Sequence, residues 1–288
     1  MSLSTETILH PTLDPFIGRT EALLARVFGT KWASGLCEFL VFGIKEAGAC
    51  VFAGSFLFLL AISSHVSIPG IARYDFLFLG AIAIQLVLIV TRLETWREVA
   101  VLSMFHAIGM GLELFKTSPS VHSWSYPEYA FFRIYTVPLY SGFMYAAVAS
   151  YMMQAWRLVD LKVRNFPPLW AAILISIAIY ANFFTNHYIV DMRWPLATIV
   201  IIVFWRTRID FTATTKVRTM PMTLSFVLVG FFIWIAENIA TFFGGWVYPS
   251  QTTAWAIVGP NKITSWMLLV IISFIIVAAL KQIFPKKA

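Results

Sequence analysis

The sequence predicts an all-α polytopic membrane protein of eight transmembrane helices, on three observations. Only 12% of its 288 residues are charged and 59% are apolar, whereas a soluble domain carries about 25% charged residues. The apolar residues gather into runs close to the ~20 residues that a bilayer-spanning helix needs. Lys and Arg sit in short loops between those runs, in unequal shares on alternate loops.

In chain order the runs lie near 38–62, 75–91, 98–116, 136–156, 168–186, 188–205, 220–243 and 263–281, the sixth crowded at its start by Asp191, Arg193 and Pro195. Residues 1–35 precede them as a cytoplasmic N-terminal segment. Within it, 16–32 (FIGRTEALLARVFGTKW) has apolar positions at helical spacing with Arg19, Arg26 and Lys31 among them, the pattern of an interfacial amphipathic helix. The opening MSLSTETILHPTLDP lacks the basic start and short apolar core of a cleaved signal peptide. Residues 36–288 read as a single transmembrane domain.

Fifteen of the 21 Lys and Arg fall on one set of loops and five on the other (Arg73, Lys116, Arg133, Arg193, Lys262), with Lys45 inside the first run. That bias places both termini in the cytoplasm, which requires an even number of spans and so includes the sixth. The net charge of +7 is thus a topology signal, and nucleic acid is excluded as a partner. Cys37 and Cys50, 13 residues apart, match neither a disulfide framework nor a zinc pair.

One stretch is written twice. His106–Glu128 (HAIGMGLELFKTSPSVHSWSYPE) is echoed by Gly230–Gln251 (GFFIWIAENIATFFGGWVYPSQ). Each has a glutamate late in an apolar run, a small-residue break, and then Trp-x-Tyr-Pro. The offset is 124 residues at the glutamates and 122 at the tyrosines. Four spans separate the copies, so they share one orientation, which predicts a parallel four-plus-four repeat with halves about 36–160 and 161–288.

A carboxylate within a span is costly and marks a functional site by default. Glu113 and Glu237 are therefore the leading catalytic candidates. His106, seven residues before Glu113, shares its helix face at about 10.5 Å, and Lys116 lies one turn beyond, in reach of an ion pair. Glu237 has no cation within a turn, and burial without one favours the neutral acid that a general acid requires. Glu128 is a third carboxylate candidate. Trp124, Tyr126, Trp246, Tyr248 and Gln251 are the candidate substrate-binding residues. Interfacial aromatic belts explain the ring types in these loops but not their repeated order. Glu38, Lys45 and Glu46 form a second polar cluster in the first run, read as mostly structural. His65, His122, His187 and Asp191 gather on the outer side without metal-ligand spacing, so neither metal nor cofactor is expected.

These residues carry a resemblance. Glu113 with Ser123-Trp124-Ser125-Tyr126-Pro127-Glu128, and Glu237 with Gly245-Trp246-Val247-Tyr248-Pro249, resemble the signature of the YoaT-like proteins, a bacterial integral-membrane family catalogued as a domain of unknown function. The resemblance implies a multi-pass protein of the bacterial cytoplasmic membrane and no activity. Over about 106–145 and 237–267 the chain is also similar to the small membrane lycopene cyclases and carotenoid hydratases. That similarity implies acid-initiated addition or cyclisation on a polyene without redox change. The sequence departs from the cyclase Pro-x-Glu-Glu pattern, with Pro127-Glu128 in one half and Pro249-Ser250-Gln251 in the other.

Three functions fit these residues: an enzyme doing carboxylate acid–base chemistry on a lipid-soluble, isoprenoid-like substrate near the outer leaflet; a proton- or cation-coupled transporter using the same glutamates; and a non-catalytic membrane assembly factor. An apolar site open to lipid favours the first, a polar cavity reaching water the second. The oligomeric state is left open. The topology has its own test: cysteines introduced near Ser120 and Thr253 should react with an impermeant thiol reagent in intact cells, and those near Asn165 and Thr214 only after permeabilisation. Reversed labelling rejects the orientation.

Overall fold

The computed structural model describes the backbone of residues 5–283 and the side chains of 17–278. The side chains of the C-terminal lysines Lys281, Lys286 and Lys287 lie outside that range. The chain is mostly helical: α1 (Thr5–Phe28), α2 (Thr30–Ala49), α3 (Val51–Ser63), α4 (Arg73–Val90), α5 (Trp96–Lys116), α6 (Tyr140–Leu158), α7 (Leu169–Thr185), α8 (Arg193–Val203), α9 (Met222–Phe242) and α10 (Lys262–Ile283). By length and composition α4, α5 and α9 suffice to cross a membrane, and α2 with α3 makes a fourth candidate if that bent pair is one span.

Helix falls on each apolar run, with two departures. The first run is not one straight helix: α2 and α3 meet at a 66° bend. The break follows the small residues Ala47-Gly48-Ala49, and the polar side chains before it are anchored elsewhere. Glu38 is paired with Arg218 at 2.5 Å, Lys45 donates to the Thr212 carbonyl at 3.3 Å, and Glu46 accepts from Tyr151 at 2.8 Å. Each charged side chain of this polar cluster is thus engaged by another element. In the sixth run, α8 has only 11 residues, about 16 Å of helix against a hydrocarbon core of about 30 Å. Its first residues form a polar turn instead, in which Asn182 donates to Asp191 (3.1 Å) and accepts from the Met192 N–H (2.8 Å). The N-terminal α1 turns back at Gly29 and packs on α2 and α6.

Two of the loops read as topology signals form a small antiparallel sheet. β3 (Lys162–Arg164), β4 (Arg208–Thr212) and β5 (Val217–Pro221) lie in that order, with Val163 opposite Ile209 and Ile209 opposite Met220. A two-stranded hairpin, β1 (Arg133–Ile134) with β2 (Val137–Pro138), leads into α6 from the other end. Asp75 holds its approach by accepting from the Phe131 and Phe132 N–H groups, each at 2.8 Å.

The centre of the bundle is α6, against which α1, α2, α3, α4, α5 and α10 all pack. It qualifies because its buried positions are small or polar (Gly142, Ala146, Ala149, Ser150), so several helices approach closely. At the sheet end, Glu94 is buried and accepts from Gln85 and Ser150, each at 2.5 Å. Burial pushes its pKa above the usual carboxylate range.

The closest backbone approach concerns α9 and α10. A Cβ on Gly230 would stand 2.8 Å from the Met267 nitrogen and 3.0 Å from the Ile263 carbonyl oxygen. Gly230→Val should therefore push the two helices apart and lower the thermal unfolding midpoint in detergent, at a cost of about 1–3 kcal/mol. Gly43→Val, with nothing within 4 Å, should leave the midpoint within a degree or two of wild type, on the order of 0.5 kcal/mol.

Candidate functional site

At the end opposite the sheet, the two Trp-x-Tyr-Pro loops meet. The Ser125 N–H donates to the Val247 carbonyl and the Val247 N–H to the Ser125 carbonyl, both at 2.9 Å. The central residue of one motif thus pairs with the central residue of the other. Beside the bridge, the Trp124 and Tyr248 rings meet edge to face at 6.1 Å.

Below the loops stand the two glutamates, 2% and 3% exposed. Glu113 Oε2 accepts from Trp124 Nε1 at 2.7 Å and the Tyr126 hydroxyl at 2.8 Å, and Oε1 accepts from Tyr145 at 2.9 Å. Glu237 Oε1 accepts from Tyr248 at 2.6 Å and Oε2 from Trp266 Nε1 at 2.8 Å. Each carboxylate takes the tyrosine of its own loop and an aromatic donor from the next helix, 32 residues on at Tyr145 and 29 at Trp266. Burial, reinforced by the adjacent carboxylate, raises the pKa of the loop tyrosines Tyr126 and Tyr248 well above its usual value, so both remain neutral donors.

The cations are not where the spacing in sequence puts them. Lys116 does not pair with Glu113: its Nζ lies 2.8 Å from His187 Nε2 and 3.4 Å from Asn186 Oδ1. Lying at the last turn of α5, it extends outward and away from the carboxyl one turn below. The cation near the Glu237 network is instead Lys262 at the start of α10, 4.5 Å above the Tyr248 ring and 5.8 Å from that of Trp124.

His106 shares the helix face of Glu113 but turns to α6. Its ring lies 4.7 Å from Phe143 and fills the space a side chain at Gly142 would need. Its buried Nδ1 has no hydrogen-bond partner among the described residues. Glu128 stands at the rim in an ion pair with Arg73 at 2.5 Å. Gln251 is occupied within its own loop, accepting from the Tyr248 N–H at 3.3 Å and donating to the Ala256 carbonyl at 2.5 Å. Trp246 is buried among Leu60, Tyr74 and Tyr140. No group of three His, Cys, Asp or Glu close enough to hold a metal occurs among the described residues.

Nor do the helices of the two glutamates face each other, as packing about a two-fold axis would have them. α5 packs on α6, α9 on α10, and α6 meets α10 between them, because the small-residue face of α6 takes the centre. The link between the carboxylates runs instead through Trp124 and Tyr248. Between the helices lies a narrow apolar groove, lined among others by Leu112, Tyr145, Ile233, Trp266 and Leu269. The loop aromatics are not in its wall; the donors from the following helices are.

Sequence reasoning missed Tyr145, Trp266, Lys262 and Arg73. The first two carried a signal, since an aromatic donor follows each glutamate at nearly the same interval. Arg73 joins the ends of both loops: besides Glu128 it donates to the Phe243 carbonyl and, at 3.4 Å, to that of Gly244.

The profile of a family described as "Protein of unknown function (DUF817)" matches residues 38–274. The chain belongs to that family. It is 48% identical over 242 residues to the uncharacterized protein YoaT of Bacillus subtilis (strain 168), across 84% of this chain and 91% of that protein. No solved structure matches. The family match spans both glutamates, both loops, Tyr145 and Trp266.

The carboxyl environments predict how substitutions divide. In Glu113→Gln the amide oxygen takes the Trp124 and Tyr126 donors, and the amide nitrogen donates to Tyr145 once that hydroxyl rotates. Folding stability should change by about 1 kcal/mol or less. Glu113→Ala leaves three buried donors unpaired and opens a cavity, and should cost about 2–5 kcal/mol. Thermal unfolding of the purified variants separates the two.

Proposed function

We propose that this chain is a multi-pass enzyme of the bacterial cytoplasmic membrane, with both termini inside, that carries out non-redox proton chemistry on a lipid-soluble substrate. The observation that carries the reading is one apolar groove lined by both Tyr145 and Trp266, the aromatic donors to the two buried glutamates. An apolar wall suits a hydrocarbon and offers no path for an ion, which weighs against a coupled transporter. A passive assembly factor requires no buried carboxylates at all.

Glu113 is the acid in this reading. It has three neutral donors and no ion-pair partner. Protonated Glu113 gives its proton to the oxygen of the Tyr145 hydroxyl, its hydrogen-bond partner, as that hydroxyl, turned to the groove, gives its own to a double bond of the substrate, which leaves Glu113 as the carboxylate. Glu237 accepts the Trp266 N–H and so enriches the indole beside the developing carbocation, which its ring stabilises. Loss of a proton through the same hydroxyl returns Glu113 to its starting state and leaves an isomerised or cyclised product.

The proposal includes eight membrane passages and an internal repeat in which α5–loop–α6 and α9–loop–α10 are copies of one unit. Support comes from the reciprocal Ser125–Val247 bridge and from the matched donor sets of the two glutamates. Extracted lipids and pigments of a deletion strain should show a lipid-soluble precursor that accumulates, cleared by the wild-type gene. Glu113→Gln and Tyr145→Phe, expressed at wild-type level, should each clear it at least about 100-fold more slowly, as loss of general acid catalysis implies. Unchanged lipids in the deletion strain, or full complementation by Glu113→Gln, would sink the enzyme.

A further inference from the structure

We infer that the substrate is an amphiphile, a phosphomonoester of a single apolar chain, whose head is held by Lys116 and Lys262 at the outer end of the groove. The inference rests on the groove as substrate site and adds what lies beyond it. On α5 the wall residue Leu112 is followed one turn later by Lys116; on α10 the wall residue Trp266 is preceded one turn earlier by Lys262. Residues four apart share a helix face at about 6 Å of rise, so the two lysines extend opposite walls of the groove by one turn, in the same direction.

Among the described residues neither lysine is held in a contact ion pair. Lys116, 3% exposed, is bonded to His187 and Asn186, both neutral acceptors. Lys262 stands over the Tyr248 and Trp124 rings, with Glu237 attracting it from beyond ion-pair distance. Among the described residues no carboxylate lies within ion-pair distance of either lysine, and Glu237 is hydrogen-bonded to the Tyr248 over which Lys262 stands. Arg193, also at this end, is balanced by Asp191 at 3.0 Å and donates to the Asn261 carbonyl beside Lys262. Arg193 is thus paired at contact, and two cations are left without a contact ion pair, enough to meet the two charges of a phosphomonoester dianion.

Two further features suit an anion here. Lys262 opens α10 and Arg193 opens α8, so cations occupy first turns whose dipoles disfavour them, and a bound anion offsets that. His187, 2.8 Å from Lys116 and 3.4 Å from Ser123, is held neutral because burial and the two lysines lower its pKa. An anion would restore its proton and add a donor.

The test uses the full chain in nanodiscs of zwitterionic lipid, with farnesyl phosphate and farnesol as probes and tryptophan fluorescence, which Trp266 supplies at the groove wall, as readout. Farnesyl phosphate should bind at least about tenfold more tightly than farnesol, about 1.4 kcal/mol. Lys116→Gln with Lys262→Gln should remove that difference, and the two arginine replacements should retain it. Should the glutamine pair fail to fold, the salt response of the wild type decides: affinity for farnesyl phosphate should fall severalfold toward about 0.5 M salt while that for farnesol holds. Equal affinity for the two probes, a folded glutamine pair that keeps the preference, or a salt-insensitive preference overturns the inference. Binding needs no turnover, and Glu113→Gln should preserve it. Failure of the head-group site and failure of the proton chemistry are therefore separate results.

Discussion

Two carboxylates held away from water need hydrogen-bond donors, and in this protein every donor that reaches them is an aromatic N–H or O–H. A buried acid without partners costs several kcal/mol, so the donors are a condition of the fold at this end. Tyrosine and tryptophan supply one proton each on a large rigid ring. Three of them cannot reach Glu113 from its own helix. Two therefore descend from the loop that caps it, and the third, Tyr145, comes from the next helix. The same demand at Glu237 is met by Tyr248 and Trp266. The Ser125–Val247 bridge locks the loops in the height and register that make this possible, and Arg73 ties their flanks together from below.

The opposite end is built by another rule. There the polar groups are mostly charged and paired: Glu38 with Arg218, Glu98 with Arg157, Arg164 with Asp210. The short sheet gives two loops a common hydrogen-bonded frame, so the basic residues in them also brace the helix ends. Between the two ends, α6 sets the spacing. Its small side chains admit six neighbours to the centre and leave the glutamate helices on separate flanks. That separation opens the groove, with α6 and α10 contributing the two aromatic residues that connect its wall to the acids.

Much of this was legible in the chain itself. The apolar runs locate the helices, the repeated loop locates the site, and the placement of Glu113 and Glu237 late in their runs puts both beneath the loops. Two inferences from spacing along one helix went otherwise. Lys116 lies three residues from Glu113, but at a helix end the side chain has solvent and a second loop to choose from, and it takes His187 and Asn186. His106 is two turns from Glu113 on the same face, and that face is covered by Gly142 and Phe143 of α6. Periodicity says which residues share a face and nothing about what covers that face.

The sequence by itself determined the apolar runs that become helices, three of them, or four with the bent pair, long and apolar enough to cross a membrane, and the two acids beneath matched loops, because each depends on composition or on order along the chain. Which group touches which acid was decided only by tertiary structure. Tyr145 and Trp266 reach the glutamates from 32 and 29 residues away, and Lys262 reaches Trp124 from the far half of the chain. The bend between α2 and α3, the truncation of α8 and the conversion of two basic loops into a sheet belong to the same class. Each reflects hydrogen bonds between neighbouring or distant segments, from nine residues apart at Asn182–Asp191 upward, that outweigh what local apolarity alone would favour.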